Sequence, residues 1–238
     1  MPSLLACAVT IVLELFTSEG CSSCPPADRF LQKLIESQPA ADVQIVALGE
    51  HVDYWDRLGW KDRFSSAHLT ARQQTYGTRF NLESVYTPQI VVDGRTELVG
   101  TDASAARRAI DAARARPHGV VKIAINPASQ ALRVTVTASE LPPLSRGDHA
   151  DIVLAITEDH LTSEVKRGEN QGRVLTHAAV VRHLAAIGEA DAAAPSTVQT
   201  TIPLGPDWVI GELKVIAFVQ ERRGRAILAS AVEPLGRR

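Results

Sequence analysis

The chain has 238 residues, long enough for two domains, and its 45% hydrophobic and 22% charged residues are ordinary for a globular protein. A formal net charge of −2 offers no global field to attract nucleic acid or an anionic membrane, and no apolar run reaches the length of a membrane span. Aromatics make up only 5%, so aliphatic side chains must fill most of the core, and 3 cysteines are too few for a disulfide scaffold or a zinc ribbon.

The start of the chain reads two ways. Leu4-Leu5-Ala6-Cys7-Ala8 looks like the end of a signal peptide or a weak lipoprotein-type box, but no basic stretch precedes it. Either the chain is cytoplasmic as written, or a longer precursor is exported. Cys7 could pair across a dimer, carry lipid or be buried.

Val9 to Phe16 is β-branched and apolar and predicts a strand buried on both faces, with one carboxylate, Glu14, inside it. Thr17 to Gly20 is a turn. Cys21-Ser22-Ser23-Cys24 follows, and Pro26 to Ser37 predicts an amphipathic helix with Phe30, Leu31, Leu34 and Ile35 on one face. Val43 to Leu48 predicts the next strand. A strand-helix-strand return of this kind is parallel, so Glu50 to Asp56 should lie on the same sheet edge as the cysteines. Ser65 or Ser66 starts a second helix that runs to about Phe80. Thr87-Pro88 precedes a strand over Ile90 to Val92, Asp93-Gly94 is a hairpin turn, and Glu97 to Val99 returns antiparallel. Asp102 or Ser104 starts a third helix.

This β-α-β-α-β-β-α order predicts a thioredoxin-like α/β domain over residues 1–116. Arg116 to Gly119 is a linker. Beyond it come short alternating strands: Val120 to Ile125, Leu132 to Ala138, Ala150 to Thr157, Thr197 to Pro203, Lys214 to Gln220 and Ala226 to Val232. Arg173 to Ile187 fits a strand or a helix and is read as a strand. The expectation for residues 120–238 is an all-β sandwich of about seven strands.

A Cys-x-x-Cys between a strand and a helix is the arrangement that dithiol redox chemistry needs, because the helix N-terminus favours a thiolate. Cys21 is then the attacking thiol and Cys24 the resolving one. Glu14 is a candidate proton-transfer group whose pKa burial would raise. His51 could stabilise the thiolate or shuttle a proton, or could join Cys21 and Cys24 in holding a soft metal such as Cu(I). In the bland alternative, His51 and Asp53 only shape their loop. Trp55 and Trp60, with Tyr54, could wall the site for a peptide or small thiol, or could simply plug the loop. His177 and His183 are read as structural and sharing a strand face, and Arg222, Arg223 and Arg225 as a solvated hairpin tip.

Three segments carry a resemblance: Glu14 to Asp28, His51 to Asp56, and Val85 to Gln89. They resemble the bacterial thioredoxin-like family known as domain of unknown function 1223, whose members are typically exported. Arg167 to Arg173 and Leu175-Thr176-His177 resemble its C-terminal part, so the likeness spans about residues 9 to 235. The resemblance implies a periplasmic or secreted protein. In thioredoxin-like proteins a cis proline faces the Cys-x-x-Cys and helps bind the substrate backbone, which implies a cis bond at Thr87-Pro88 and substrate binding by that pair. The leading expectation is a thiol–disulfide oxidoreductase that needs no cofactor and acts on a disulfide- or thiol-containing protein or a small thiol. The alternatives are a metal-binding module and a non-enzymatic interaction protein.

Overall fold

A computed structural model describes residues 8–38 and 40–236; Cys7 and its possible roles lie outside them. The chain opens with β1 (Val9–Thr17), α1 (Cys24–Ser37), β2 (Val43–His51), α2 (Ala67–Arg79), β3 (Gln89–Val92), β4 (Thr96–Val99) and α3 (Ala103–Arg114). Helix α1 starts two residues before the expected Pro26, which leaves both prolines in the first turn, where a missing N–H costs nothing. Ser66 caps α2 by accepting from the His68 N–H at 3.2 Å, and Asp102 caps α3 by accepting from the Ala105 N–H at 2.8 Å. Between β3 and β4, Asp93 and Gly94 have φ of 46° and 62°, the two positive values that a tight hairpin turn requires.

Ten further segments bear on the second half: β5 (Val120–Ala128), β6 (Ala131–Ser139), β7 (Ala150–Glu158), β8 (Leu161–Glu164), β9 (Val174–His177), β10 (Val180–Ala190), β11 (Ser196–Pro203), β12 (Leu213–Glu221), β13 (Ile227–Pro234), and the short helical turn at Ile210–Glu212. The uncertain stretch over Arg173 to Ile187 is strand, but it is two strands. Ala179 sits at φ 53° and breaks the run between His177 and Val180.

The expected fold, a thioredoxin-like α/β domain followed by a separate all-β sandwich, is not what the molecule adopts. One mixed eight-stranded sheet runs through both halves in the order β13-β12-β7-β10-β2-β1-β3-β4. The join is between β2 and β10, which are parallel at Gly49 and Val180, with the Gly49 N–H donating to Ala179 O at 2.7 Å. A Cβ on Gly49 would stand 3.0 Å from Ala178 O, so this residue permits the close approach. The physical reason is that β2 would otherwise be an exposed edge, and β10 covers it. The far end of the sheet also curls back toward β1: Ser230 Oγ donates to Thr10 O at 3.1 Å, and the Ile227 N–H donates to Asp93 O at 2.9 Å.

Strand register assigns the two faces. Leu13, Leu15, Ile45 and Ala47 pack against Ala27 and Leu31 of α1 and Ala106 and Ile110 of α3. Through the Gly49–Val180 and Val180–Glu158 pairings this is also the face on which Ile152, Leu154, Val215 and Ala217 meet the separate three-stranded sheet β11-β6-β5. Val12, Val46, Leu48, Val153, Ile216 and Phe218 point to the other face, where Leu69 of α2 packs. Burial of these apolar faces is the main stabilising term, at roughly 25 cal/mol per Å².

Candidate functional site

Cys21 and Cys24 form a disulfide where β1 gives way to α1. Cys24 is the first residue of the helix. The preceding Ser23 makes no side-chain cap, and its hydroxyl instead lies 3.3 Å from Cys21 Sγ. No acidic side chain of α1 itself occupies its first turn, so the positive end of the helix is directed at the sulfurs.

Three loops meet at this point. A Cβ on Gly20 would stand 3.1 Å from Trp55 Cβ, so the cysteine turn packs directly on the loop after β2. Trp55 Nε1 donates to Thr87 Oγ1 at 2.8 Å, which ties that loop to Thr87-Pro88, whose peptide bond is cis. Gly100 lies between Pro88 and α1, for a Cβ there would stand 2.9 Å from Pro88 Cβ and 3.1 Å from Ala27 Cβ.

A fourth segment covers the disulfide. It is the loop between β8 and β9, turned by Gly168 and Gly172 at φ 78° and 79°. Asn170 is fully buried, and its Nδ2 donates to the carbonyls of both Glu19 and Cys21 at 2.9 Å. Glu169 accepts the Ser22 N–H at 3.0 Å. Under this cover both cysteines are 0% exposed.

Beneath the disulfide lies a set of buried titratable groups. His51 is on the α1 face of β2, and its Nδ1 lies 2.6 Å from Asp62 Oδ2. Burial opposes the charged imidazole, but the Asp62 carboxylate outweighs it, so the His51 pKa is raised above 6.5. Asp62 moves the other way: burial raises it, His51 outweighs that, and its pKa falls below 3.8. Asp62 also accepts from the Glu19 and Phe64 N–H groups, each at 2.9 Å. The His177 ring stands 4.8 Å from that of His51, centre to centre, with its Nε2 3.4 Å from Glu19 Oε1. Trp60 Nε1 donates to Glu19 Oε2 at 2.7 Å. Asp28, four residues after Cys24 on α1, is half-buried; burial, partly offset by His177 and His51, raises its pKa above 3.8. Both His177 nitrogens, Thr17 Oγ1, Glu19 Oε1 and Ser163 Oγ are buried without a hydrogen-bond partner.

Glu14 is elsewhere. It shares its face with Val12 and Phe16, under α2, and accepts from Arg72 Nε at 2.6 Å and from the Tyr76 hydroxyl. Glu50 lies 3.5 Å from Arg72, and burial together with the Glu14 charge holds its carboxyl well above the usual range. Asp53 accepts from Thr70 Oγ1 at 2.6 Å and so fastens its loop to α2.

Thus Cys21, Cys24, His51, Trp55, Thr87 and Pro88 are brought to one place, and Glu14 is not. Tyr54 bonds Gln73, 3.2 Å away, on the α2 side. His177 and His183 lie on different strands, and only His177 reaches the site. Asp28, Asp62, Glu19 and Asn170 were not singled out from the sequence. Asp28 and Glu19 fall inside the segment that carries the resemblance, and Asn170 inside its C-terminal part, so those matches were the available signal. Among the described residues no group of three or more His, Cys, Asp or Glu side chains could hold a metal ion, so Cys21, Cys24 and His51 form no such set. No helix among the described residues is long and apolar enough to cross a membrane.

Residues 12–220 match the family described as protein of unknown function, DUF1223, and the chain belongs to that family. Comparison with curated proteins gave no match. A crystal structure of a protein from Agrobacterium tumefaciens is 30% identical, with a TM-score of 0.70, and the alignment covers 97% of this chain and 96% of that one. A domain of the outer membrane lipoprotein Omp28 from Porphyromonas gingivalis is 14% identical over 50% of this chain and 88% of that one, with a TM-score of 0.34, too low to carry an argument.

Proposed function

We propose that this member of the family is a thiol–disulfide oxidoreductase working through Cys21 and Cys24, with the dithiol chemistry that thioredoxin-like proteins perform. The observation that carries the reading is the disulfide itself, which spans only three positions at an uncapped helix N-terminus and sits on buried histidines and acids. A loop so short gives little chain-entropy stabilisation, about 2 kcal/mol, so it is a poor structural staple. The surrounding groups suit a couple that opens and closes.

In the reduced protein the Cys21 thiolate, assisted by the Ser23 hydroxyl and the α1 N-terminus, attacks one sulfur of a substrate disulfide. The other substrate sulfur leaves as a thiolate and is protonated by solvent. Cys24 then gives its proton to the Asp28 and His51 side, attacks the Cys21 sulfur of the mixed disulfide and releases the second thiol. The substrate gains two electrons and the protein disulfide re-forms; the reverse sequence oxidises a dithiol. His51, held by Asp62, and Asp28, with its raised pKa, are the proton-handling groups. Thr87, Pro88 and Trp55 form the wall along which the substrate chain is positioned, and the substrate is a disulfide- or thiol-containing protein or small thiol. Because the sulfurs are covered, the loop carrying Asn170 must lift before exchange. The family resemblance favours a periplasmic or secreted setting, where such a couple meets disulfides.

Trapping tests the reading. Cys24→Ser should accumulate a mixed disulfide between Cys21 and a model disulfide peptide, visible as a mass increase that dithiothreitol removes. Cys21→Ser should accumulate none. Equal labelling of both variants, or of neither, would overturn the assignment.

A further inference from the structure

The loop over the disulfide meets the cysteine turn through a carboxylate and a carboxamide. Residues 165–173 are closed on themselves: the Val165 N–H donates to Arg173 O at 2.9 Å, and the Gly172 N–H donates to Val165 O at 2.8 Å. Arg173 Nη1 donates to Asn170 Oδ1 at 3.0 Å and so sets the direction of that carboxamide. The loop therefore presents Glu169 and Asn170 to the cysteine turn as one piece. Three hydrogen bonds join the two: Asn170 Nδ2 to the carbonyls of Glu19 and Cys21, and the Ser22 N–H to Glu169 Oε2.

The last of these differs from the others. Asn170 is buried, whereas Ser22 and Glu169 are both exposed and stand 147 positions apart in the chain. A hydrogen bond between exposed groups adds little to stability, because water competes for both. It does show that the donor lying between the two cysteines takes a carboxylate. The Ser22 hydroxyl and N–H hold the Glu169 carboxyl below the usual carboxylate range. The positive end of α1 is directed at the same place. When the loop lifts, the Ser22 N–H and the carbonyls of Glu19 and Cys21 lose these partners together. Any peptide supplies N–H groups for the two carbonyls; a carboxylate is needed to replace Glu169.

We propose that Glu169 is an internal competitor for a carboxylate of the substrate, and that the substrate is a thiol or disulfide carrying a carboxylate next to its reacting sulfur. The inference rests on the redox reading and names its substrate class. In the direction that reduces the protein, the substrate thiolate bonds to Cys21 Sγ as the Cys21–Cys24 bond breaks. Cys24 leaves with the electron pair and takes up a proton. A second substrate thiolate then attacks the substrate sulfur of the mixed disulfide, and Cys21 leaves as a thiolate. The carboxylate on Ser22 holds the first substrate sulfur against Cys21.

The test follows reduction of the intact oxidised protein by matched thiols: acetyl-Asp-Cys-Ala amide against acetyl-Asn-Cys-Ala amide, and glutathione against its diethyl ester. Dividing each rate by the same thiol's rate with hydroxyethyl disulfide removes differences in intrinsic reactivity. The more acidic member of a pair should be faster by about threefold or more. Preference in the peptide pair assigns the carboxylate to a polypeptide substrate, and preference in the glutathione pair alone assigns it to a small thiol. Glu169→Gln should speed both members of the preferred pair and keep the preference. Ser22→Asp, which places a charge of the chain's own at the anchor, should loosen Glu169, speed reduction by dithiothreitol and abolish the preference. Equal normalised rates within both pairs, or a preference that survives Ser22→Asp, would overturn the proposal. Cysteines that dithiothreitol cannot open reversibly would instead sink the redox reading itself.

Discussion

Glu50 and His51 are neighbours in the chain and belong to different buried clusters. Glu50 points under α2 to Glu14, Arg72 and Tyr76; His51 points under the disulfide to Asp62, with His177 beside it. The pleat of one strand therefore separates two chemistries. Beneath α2, the permanent charge of Arg72 holds the carboxylates, and Glu14 itself raises the Arg72 pKa further. Beneath the disulfide, Asp62 is paired with an imidazole, His51, a side chain that can gain or lose a proton. A cluster built on a guanidinium is suited to holding elements together, and one built on imidazoles is suited to following a proton-coupled reaction.

Breaking the first cluster should have the largest effect on stability. Arg72→Ala leaves the buried Glu14 carboxylate without its ion pair and should cost about 3–5 kcal/mol, read as a fall in the urea midpoint, while the remaining folded protein still forms the Cys21–Cys24 disulfide. An unchanged midpoint would remove the structural role given to that cluster. Asp62→Asn comes next, at about 1.5–3 kcal/mol for a charged hydrogen-bond partner, and it should change the pH dependence. The His51 pKa is raised on folding, so its contribution is complete below about pH 6.5 and is lost as pH rises through the raised value. The Asp62 pKa is lowered, so its contribution is present above about pH 3.9 and is lost as pH falls through the lowered value. The pair thus stabilises most between about pH 4 and 6.5, and Asp62→Asn should flatten the stability profile there. A profile that keeps its shape would separate His51 from Asp62.

Cys24→Ser should cost no more than about 2 kcal/mol while halting turnover at the mixed disulfide, the opposite balance from Arg72→Ala. The smallest effect is expected for Asn170→Ala. It removes the two bonds that hold the cover to Glu19 and Cys21, costing about 1–2 kcal/mol, and should speed reduction by dithiothreitol about tenfold. No acceleration would mean that the loop does not gate the sulfurs.

Much of the first half was legible because its signals are local. A β-branched apolar run marked β1, the helical stripe marked α1, and Asp93-Gly94 marked its hairpin. The placement of His51 and Trp55 on the cysteine edge followed from the parallel β1 and β2 ending together, whereas Thr87-Pro88, before the antiparallel β3, was signalled by the family resemblance. The union of both halves was not legible, because it depends on β10 pairing with β2 across more than a hundred residues, and Gly49 is its only local trace. Glu14 and His51 both read as acid–base candidates near the cysteines, and strand parity decided between them only once the register was known. Asn170 and His177 reach the site from the second half, by a hairpin whose first strand, Leu161–Glu164, is too short to mark itself by periodicity.

The most direct test of the redox reading is an equilibrium titration of the intact protein against glutathione and dithiothreitol, with thiols trapped and counted by mass. A reversible two-electron couple at Cys21 and Cys24, within roughly −270 to −120 mV, is the expected result. A disulfide that stays closed across that range, or two thiols that never pair, would contradict it.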